Sequence, residues 1–266
     1  MPEPVVLVAR EGGVATITLN RPQALNALNR DLTAGLRDAV FSAESDDAVR
    51  CVVLRGGEHF MAGGDLKWFQ QLVETGEPAT LRVQFEAFIQ EVHPLILSLR
   101  RMPKPVIASV RGAAAGFGMS LMMACDLVIA ADSAYFTLAY TSIGVSPDGG
   151  STFALPRIVG QKKAMEIALL GERFDAATAE RLGLVNRVVA AASLELETSK
   201  TATRLAAGPS KVYARTKALL NGSLNASLES QLQREAEAFA RSASEPDFKE
   251  GLAAFIGKRK PQFKGR

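Results

Sequence analysis

The sequence predicts an α/β fold that gives way to an all-helical C-terminal region, and three observations carry this expectation. Through the first 190 residues, short and nearly continuous apolar runs alternate with helix-length amphipathic segments, the pattern of a sheet covered on its faces. From about residue 195 the strand-like runs stop and helical stripes follow one another. The chain has 266 residues, 47% hydrophobic and 22% charged, enough to bury about three quarters of its unfolded surface without disulfides or structural metals. The expected division is a core of ββα units over 1–194 and a helical region over 195–266.

Each element has a local reason. Val5–Arg10 and Val14–Asn20 alternate about Gly12-Gly13 and read as a β-hairpin. Asn29 offers an N-cap to a helix near Asp31–Ser45, with Leu32, Leu36, Ala39 and Val40 on one face. Val49–Leu54 is a buried strand ending at Gly56-Gly57, and Thr80–Leu99 is a long amphipathic helix stopped by Met102-Pro103-Lys104-Pro105. Val106–Val110, Leu127–Ala131, Tyr135–Leu138 and Leu184–Val189 are further strands. The helices Glu197–Ala207, Pro209–Leu220, Ser227–Ser242 and Phe248–Ile256 follow, punctuated by Gly208-Pro209 and Glu245-Pro246. Leu228, Leu232, Ala236 and Phe239 form a stripe that something must cover.

Composition excludes several classes of function. The two cysteines, Cys51 and Cys125, sit in apolar stretches and are expected as buried, reduced thiols of a cytoplasmic protein. With only His59 and His93 available and no cysteine pair at zinc spacing, no metal site is expected. The start, with Glu3 and no basic leader, does not read as a signal peptide. The longest charge-free apolar run, between Arg111 and Asp126, is 14 residues, too short to span a bilayer, so no membrane partner is expected. The net charge of +3 is uneven: the last nine residues hold Lys258, Arg259, Lys260, Lys264 and Arg266 and no acid. Such a tail is either a solvated end or a grip for phosphate. No basic surface interleaved with aromatics is visible, and nucleic acid is not an expected partner.

Two glycine-rich stretches stand out, FMAGGDLK at 60–67 and GAAAGFGMS at 112–120. Each follows a buried strand and leads into a helical pattern. Glycine lets a backbone N–H approach a ligand closely, and a helix N-terminus favours negative charge. Two such groups converging on one point make an oxyanion hole; either stretch alone is also a plain tight turn. Neither is a phosphate-binding P-loop, and GFGMSL does not match the dinucleotide pattern.

Taken together with ATITLNRPQALNAL at 15–28, PKPVIASVRGAAAGFG at 103–118, ACDLVIAADSAYF at 124–136, GVSPDGGSTFALPRIVG at 144–160 and FIGKRKPQF at 255–263, the chain resembles the enoyl-CoA hydratase/isomerase family, the crotonase superfamily, nearly end to end. The resemblance implies a spiral of ββα turns and a helical trimerisation region. It also implies a homotrimer or dimer of trimers, acyl-CoA thioester substrates and no cofactor beyond the CoA moiety of the substrate. By position, the N–H groups of Gly64 and Phe117 would hold the thioester oxygen. Ala62, Asp65 and Leu66 match the family's adenine-pocket segment. Phe255 and Lys258 match tail positions that reach CoA, often from a neighbouring subunit. Phe117 departs from the small residue common at its place, and its ring would narrow or line the acyl pocket.

Hydratases of this family resemble one another in using two glutamates to handle water. Here Ser120 and Tyr140 stand at those positions, and neither replaces a carboxylate at neutral pH. Asp148, in SPDGG, is turn chemistry by itself. In similar isomerases, including those acting on the ring epoxide of phenylacetyl-CoA, an acid at this place faces the thioester. The resemblance therefore implies an enoyl-CoA isomerase with Asp148 as proton shuttle. The alternatives are a hydratase, an aryl-CoA dehalogenase using Asp148 with His93, and a non-catalytic acyl-CoA- or RNA-binding scaffold. His93 also reads as an ordinary helix residue, Tyr140 as either pocket or core, and Asp65 and Asp126 as caps or turn ligands to backbone amides.

Overall fold

The central strands of the main sheet are buried at almost every position because helices cover both of its faces. The structure, a computed structural model, describes residues 3–265, and Arg266 of the basic tail lies outside them. β1 (Val6–Glu11) and β2 (Val14–Leu19) form the expected antiparallel hairpin. α1 (Arg30–Ser45) follows, its N-cap Asn29 accepting from the Leu32 N–H at 3.0 Å. β3 (Cys51–Arg55) then lies parallel to β2. α2 (Leu66–Thr75) and α3 (Pro78–Arg101) cross to β4 (Val106–Val110), parallel to β3. α3 carries Pro94 inside it and ends against Met102-Pro103.

β5 (Ala113–Ala115) starts a second sheet, and α4 (Phe117–Ala124) leads to β6 (Leu127–Ala131), parallel to β4. β7 (Tyr135–Thr137) pairs parallel with β5. α5 (Ser151–Val159) and α6 (Gln161–Leu170) precede β8 (Phe174–Asp175), which pairs antiparallel with β7. α7 (Ala176–Arg181) brings the chain to β9 (Arg187–Val189), parallel to β6. The main sheet thus runs β1-β2-β3-β4-β6-β9 and the second β5-β7-β8. The remaining helices are α8 (Leu194–Ala206), α9 (Ser210–Ser223), α10 (Leu228–Ala243) and α11 (Pro246–Ile256).

The period of two in β3 sorts its side chains between two cores. Val52 and Leu54 join the large core with α1, α3 and α4, whereas Cys51 and Val53 join a smaller one with Leu194, Ala202 and Ala206 of α8. The helical region expected from residue 195 therefore opens with a helix that packs on the sheet. Cys51 is buried, and burial pushes its thiol up to about 12. Cys125 is only partly buried, less than expected, and its thiol is also pushed up by desolvation. Among the described residues no helix is long and apolar enough to cross a membrane.

The basic tail is folded back rather than free. Asp247 accepts from the N–H groups of Lys264 and Gly265, both at 2.8 Å, and Arg259 pairs with Glu250 at 2.6 Å. Arg50, leading into β3, donates to the Ser210 hydroxyl at 2.9 Å and to the carbonyls of Gly208 and Phe263. α9 is held by Lys217, whose Nζ reaches Asp126 Oδ2 at 2.7 Å and the carbonyl of Leu99, in the last turn of α3, at 2.8 Å. Asp126 in turn accepts from the Val106 N–H at 2.8 Å, as expected of a ligand to backbone amides. Lys217→Met would leave this carboxylate without its cation and the Leu99 carbonyl without its side-chain donor. It should cost about 2 kcal/mol, below the penalty for a fully buried pair, and a lowered urea midpoint with an unchanged slope is the expected result.

Candidate active site

The two glycine-rich stretches meet because the first runs as a strand alongside β5. Met61 N–H donates to the Ala113 carbonyl and Ala115 N–H to the Met61 carbonyl, both at 2.9 Å. This carries Gly63 and Gly64 against Gly116 and Phe117. A Cβ on Gly63 would sit 3.3 Å from the Ala115 oxygen and 3.7 Å from the Phe117 nitrogen, and one on Gly116 would sit 3.4 Å from Gly63 Cα. Both residues have positive φ, 94° and 50°, so the approach requires glycine twice over.

Gly64 bridges Leu28 in parallel: Leu28 N–H donates to the Gly63 carbonyl at 2.7 Å and Asp65 N–H to the Leu28 carbonyl at 2.9 Å. The bonds on either side of Gly64 turn its own N–H away from Leu28. Phe117 is the first residue of α4, where the N–H has no partner inside the helix and the helix dipole is positive. Among the described residues neither N–H has a protein acceptor. The arrangement fits two donors for one oxyanion.

The 21–28 turn fixes the first donor. Buried Asn26 accepts from the Arg21 N–H at 2.8 Å and donates to the carbonyls of His59 and Phe60 at 2.8 and 3.2 Å. Arg21 also pairs with Asp65 Oδ2 at 2.9 Å, while Asp65 Oδ1 caps α2 at the Trp68 N–H. Asp65 is thus placed as a cap. Over Gly64 stands Phe69, whose Cζ lies 2.6 Å from where a Cβ would be. Phe69 belongs to a ring cluster with Trp68, Phe85 and Phe88, with Trp68 and Phe88 centroids 4.6 Å apart. Sequence reasoning did not single out these rings; the signal was present as the apolar face shared by 68–69 and 85–88.

On the other side of Phe117 lies the SPDGG turn. Ser120 is three residues along α4 and so shares the face of Phe117. Its hydroxyl donates to the Asp148 carbonyl at 2.9 Å and lies 3.3 Å from the Tyr140 hydroxyl. Tyr140 O–H donates to Asp148 Oδ1 at 2.5 Å. Tyr140 therefore points neither at solvent nor aimlessly into the core; it is buried with its polar tip on the carboxylate. The Phe117 ring, 3% exposed, packs beneath the turn, its Cε2 2.7 Å from the position of a Cβ on Gly149. It serves as wall of the turn, not as an open lining.

Burial raises the Asp148 carboxyl above the ordinary aspartate range, while the Tyr140 hydrogen bond and the nearby His93 oppose that rise. Burial and the neighbouring carboxylate lift the Tyr140 phenol far above its usual value, so it stays a neutral donor. His93 is exposed on α3, within electrostatic reach of Asp148. Ala62 is half-buried and Leu66 exposed at the mouth of the first turn, whereas Phe255, 84% exposed, and Lys258 lie on the surface end of α11. Among the described residues no hydrogen bond joins that end to the 62–66 segment. Nor does any group of three His, Cys, Asp or Glu there suit a metal ion.

A family model described as "Enoyl-CoA hydratase/isomerase" matches residues 9–266. The chain belongs to the enoyl-CoA hydratase/isomerase family. It is 38% identical over 257 residues to 1,2-epoxyphenylacetyl-CoA isomerase of Escherichia coli (strain K12), covering 96% of this chain and 97% of that one. It is 35% identical over 260 residues to crotonyl-CoA hydratase of Syntrophomonas wolfei, covering 97% of each. The crystal structure of an enoyl-CoA hydratase from Polaromonas sp. JS666 superimposes with a TM-score of 0.91 at 38% identity, over 97% of this chain and 99% of that one. The fold is the crotonase fold, and the chain is a family enzyme with relatives of both isomerase and hydratase type.

Proposed function

We propose that the protein is an enoyl-CoA isomerase, of the double-bond or phenylacetyl-CoA ring-epoxide type, in which Asp148 moves the proton. The observation that carries this is that two neutral groups gather on one aspartate: Tyr140 O–H donates to the Asp148 carboxylate, and the Ser120 hydroxyl donates to the main-chain carbonyl of the same residue. In this reading the thioester oxygen accepts from the N–H groups of Gly64 and Phe117. Charge withdrawn onto that oxygen acidifies the neighbouring carbon. Asp148 Oδ1 is occupied by Tyr140, so Oδ2 takes the proton from one carbon of the substrate and returns it to another. Atoms balance with no water consumed. Hydration would require a group to activate water and another to protonate the carbanion, and the two positions that supply them in similar hydratases are held by Ser120 and Tyr140.

Asp148→Asn keeps the size of the side chain and removes the base. It should lower kcat for 3-enoyl-CoA isomerisation by about 10²–10⁴-fold, with crotonyl-CoA hydration by the wild type below about 10 s⁻¹. Unchanged isomerase turnover in the variant, or faster hydration by the wild type, would overturn the proposal.

Tyr140 bears on pH. Its hydrogen bond favours the ionised carboxylate. In Tyr140→Phe the Asp148 pKa rises, so the base form is lost at a higher pH as the solution is acidified. The acid limb of kcat/KM should move to higher pH, with the alkaline plateau retained, as a pH–rate profile of the two proteins would read.

The same reading covers assembly and CoA. Leu228, Leu232 and Phe239 fall on one face of α10 and are 70%, 55% and 71% exposed; such a stripe suits a subunit contact. We expect a homotrimer or dimer of trimers that brings Phe255 and Lys258 to the CoA bound near Ala62 and Leu66 of a neighbour. Light scattering should return three or six times the chain mass, and a monodisperse monomer at micromolar concentration would refute it.

A further inference from the structure

A cavity of about 360 Å³ lies behind the SPDGG turn. Ser120 and Gly149 form part of its wall, so it abuts the groups around Asp148 on the side away from the 60–67 stretch. α3 runs beside it. His93 is near Asp148, Ile96 lies 3.7 Å from the position of a Cβ on Gly150, and Arg100 stands two turns beyond His93 on the same side of the helix. Seven residues span ~10 Å of helix axis, the reach of a medium-length extended acyl chain. Ile96 and Phe153 make the flanks apolar, and Arg100 and Arg101 stand at the far end.

These arginines lack an acid. Among the described residues neither makes an ion pair. Arg100 is half-buried, donates to the Asn221 side-chain oxygen at 2.8 Å and sits 5.6 Å from the centre of the Phe153 ring. The carboxylate that acts on it from a distance, Asp126, is already paired with Lys217 at 2.7 Å. Arg157, stacked on the Phe153 ring with its guanidinium carbon 3.7 Å from the ring centre, adds positive charge. A guanidinium held out of water without an anion is costly, and its planar fork matches a carboxylate.

We propose that this cavity is the distal part of the acyl pocket and selects acyl-CoA esters that end in a carboxylate, gripped by Arg100 and Arg101. The proposal rests on the thioester position given above. Carbonyl at Gly64 and Phe117, reacting carbons at Asp148 and carboxylate at the arginines then lie in sequence along one substrate. A neutral chain of the same length would fill the flanks and leave the cations unpaired.

The test is equilibrium binding to the assembled protein of saturated acyl-CoA esters of about six to eight carbons, with and without a terminal carboxylate. Saturated esters report binding without turnover. The carboxylated ester should bind about ten-fold or more tightly, with the advantage falling at high salt. Arg101→Ala, which removes an exposed side chain, should erase most of the advantage and leave the neutral ester within about two-fold, and Arg100→Gln should do the same. Arg100→Lys should keep part of it. Equal affinities for the two esters, or an advantage that survives both removals, would overturn the proposal. So would variants that lose assembly by light scattering together with affinity for both esters, because the arginines would then be meeting an acid of a neighbouring subunit. If neutral esters bind and turn over but the carboxylate adds nothing, only this proposal falls; if no CoA ester binds, the functional reading falls with it.

Discussion

The site depends on one backbone contact, that between Gly63 and Gly116. No side chain separates the two turns, so stretches some fifty residues apart lie against each other, and in the proposed reading their amides face one oxygen. Everything nearby serves to hold that contact. The Asn26 amide and the Arg21–Asp65 pair fix the first turn, and the pairing of Met61 with β5 fixes its register against the second. Phe69 and Phe117 then seal the outer sides. The oxyanion hole proposed above would need this rigidity, because its donors are useful only if they do not reorganise when charge develops.

The second half of the site is electrostatic rather than steric. A carboxylate in apolar surroundings tends to protonate. Here Tyr140 and His93 offset that tendency while Ser120 holds the backbone of the same residue. The environment that would suit a pair of acids in a hydratase instead supports one. In the proposed reading, Ser120 and Tyr140 at these two positions favour isomerisation over hydration.

Much of this was legible in the chain. The hairpin, α1 with its Asn29 cap, and β4 and β6 follow from local pattern, and each forms where the pattern places it. The region between 138 and 184 was not legible. α5 contains Pro156 in its interior, and α6 and α7 are ten and six residues long, too short for a stripe to stand out. α2 is likewise short and follows glycines. The association of α8 with the sheet was hidden because its inward face is Ala202 and Ala206, small residues that carry little hydropathy signal yet allow close packing. The Tyr140–Asp148 bond joins residues eight apart through a turn whose direction no periodicity reveals. The Gly64 and Phe117 positions emerged from a family pattern, since spacing alone fits any tight turn.

The return of the tail has a consequence for how the molecule forms. Arg50 enters a central strand, yet its guanidinium bonds to Gly208, Ser210 and Phe263, the last 213 residues away. Closing so long a loop is slow and its reward arrives only when the loop is shut. The parallel sheet can therefore pair while this corner is still open, with Arg50 hydrated. A nascent chain would pass through such a state until residues 208–265 were free to dock. The final segment would then act as a latch on a sheet already made.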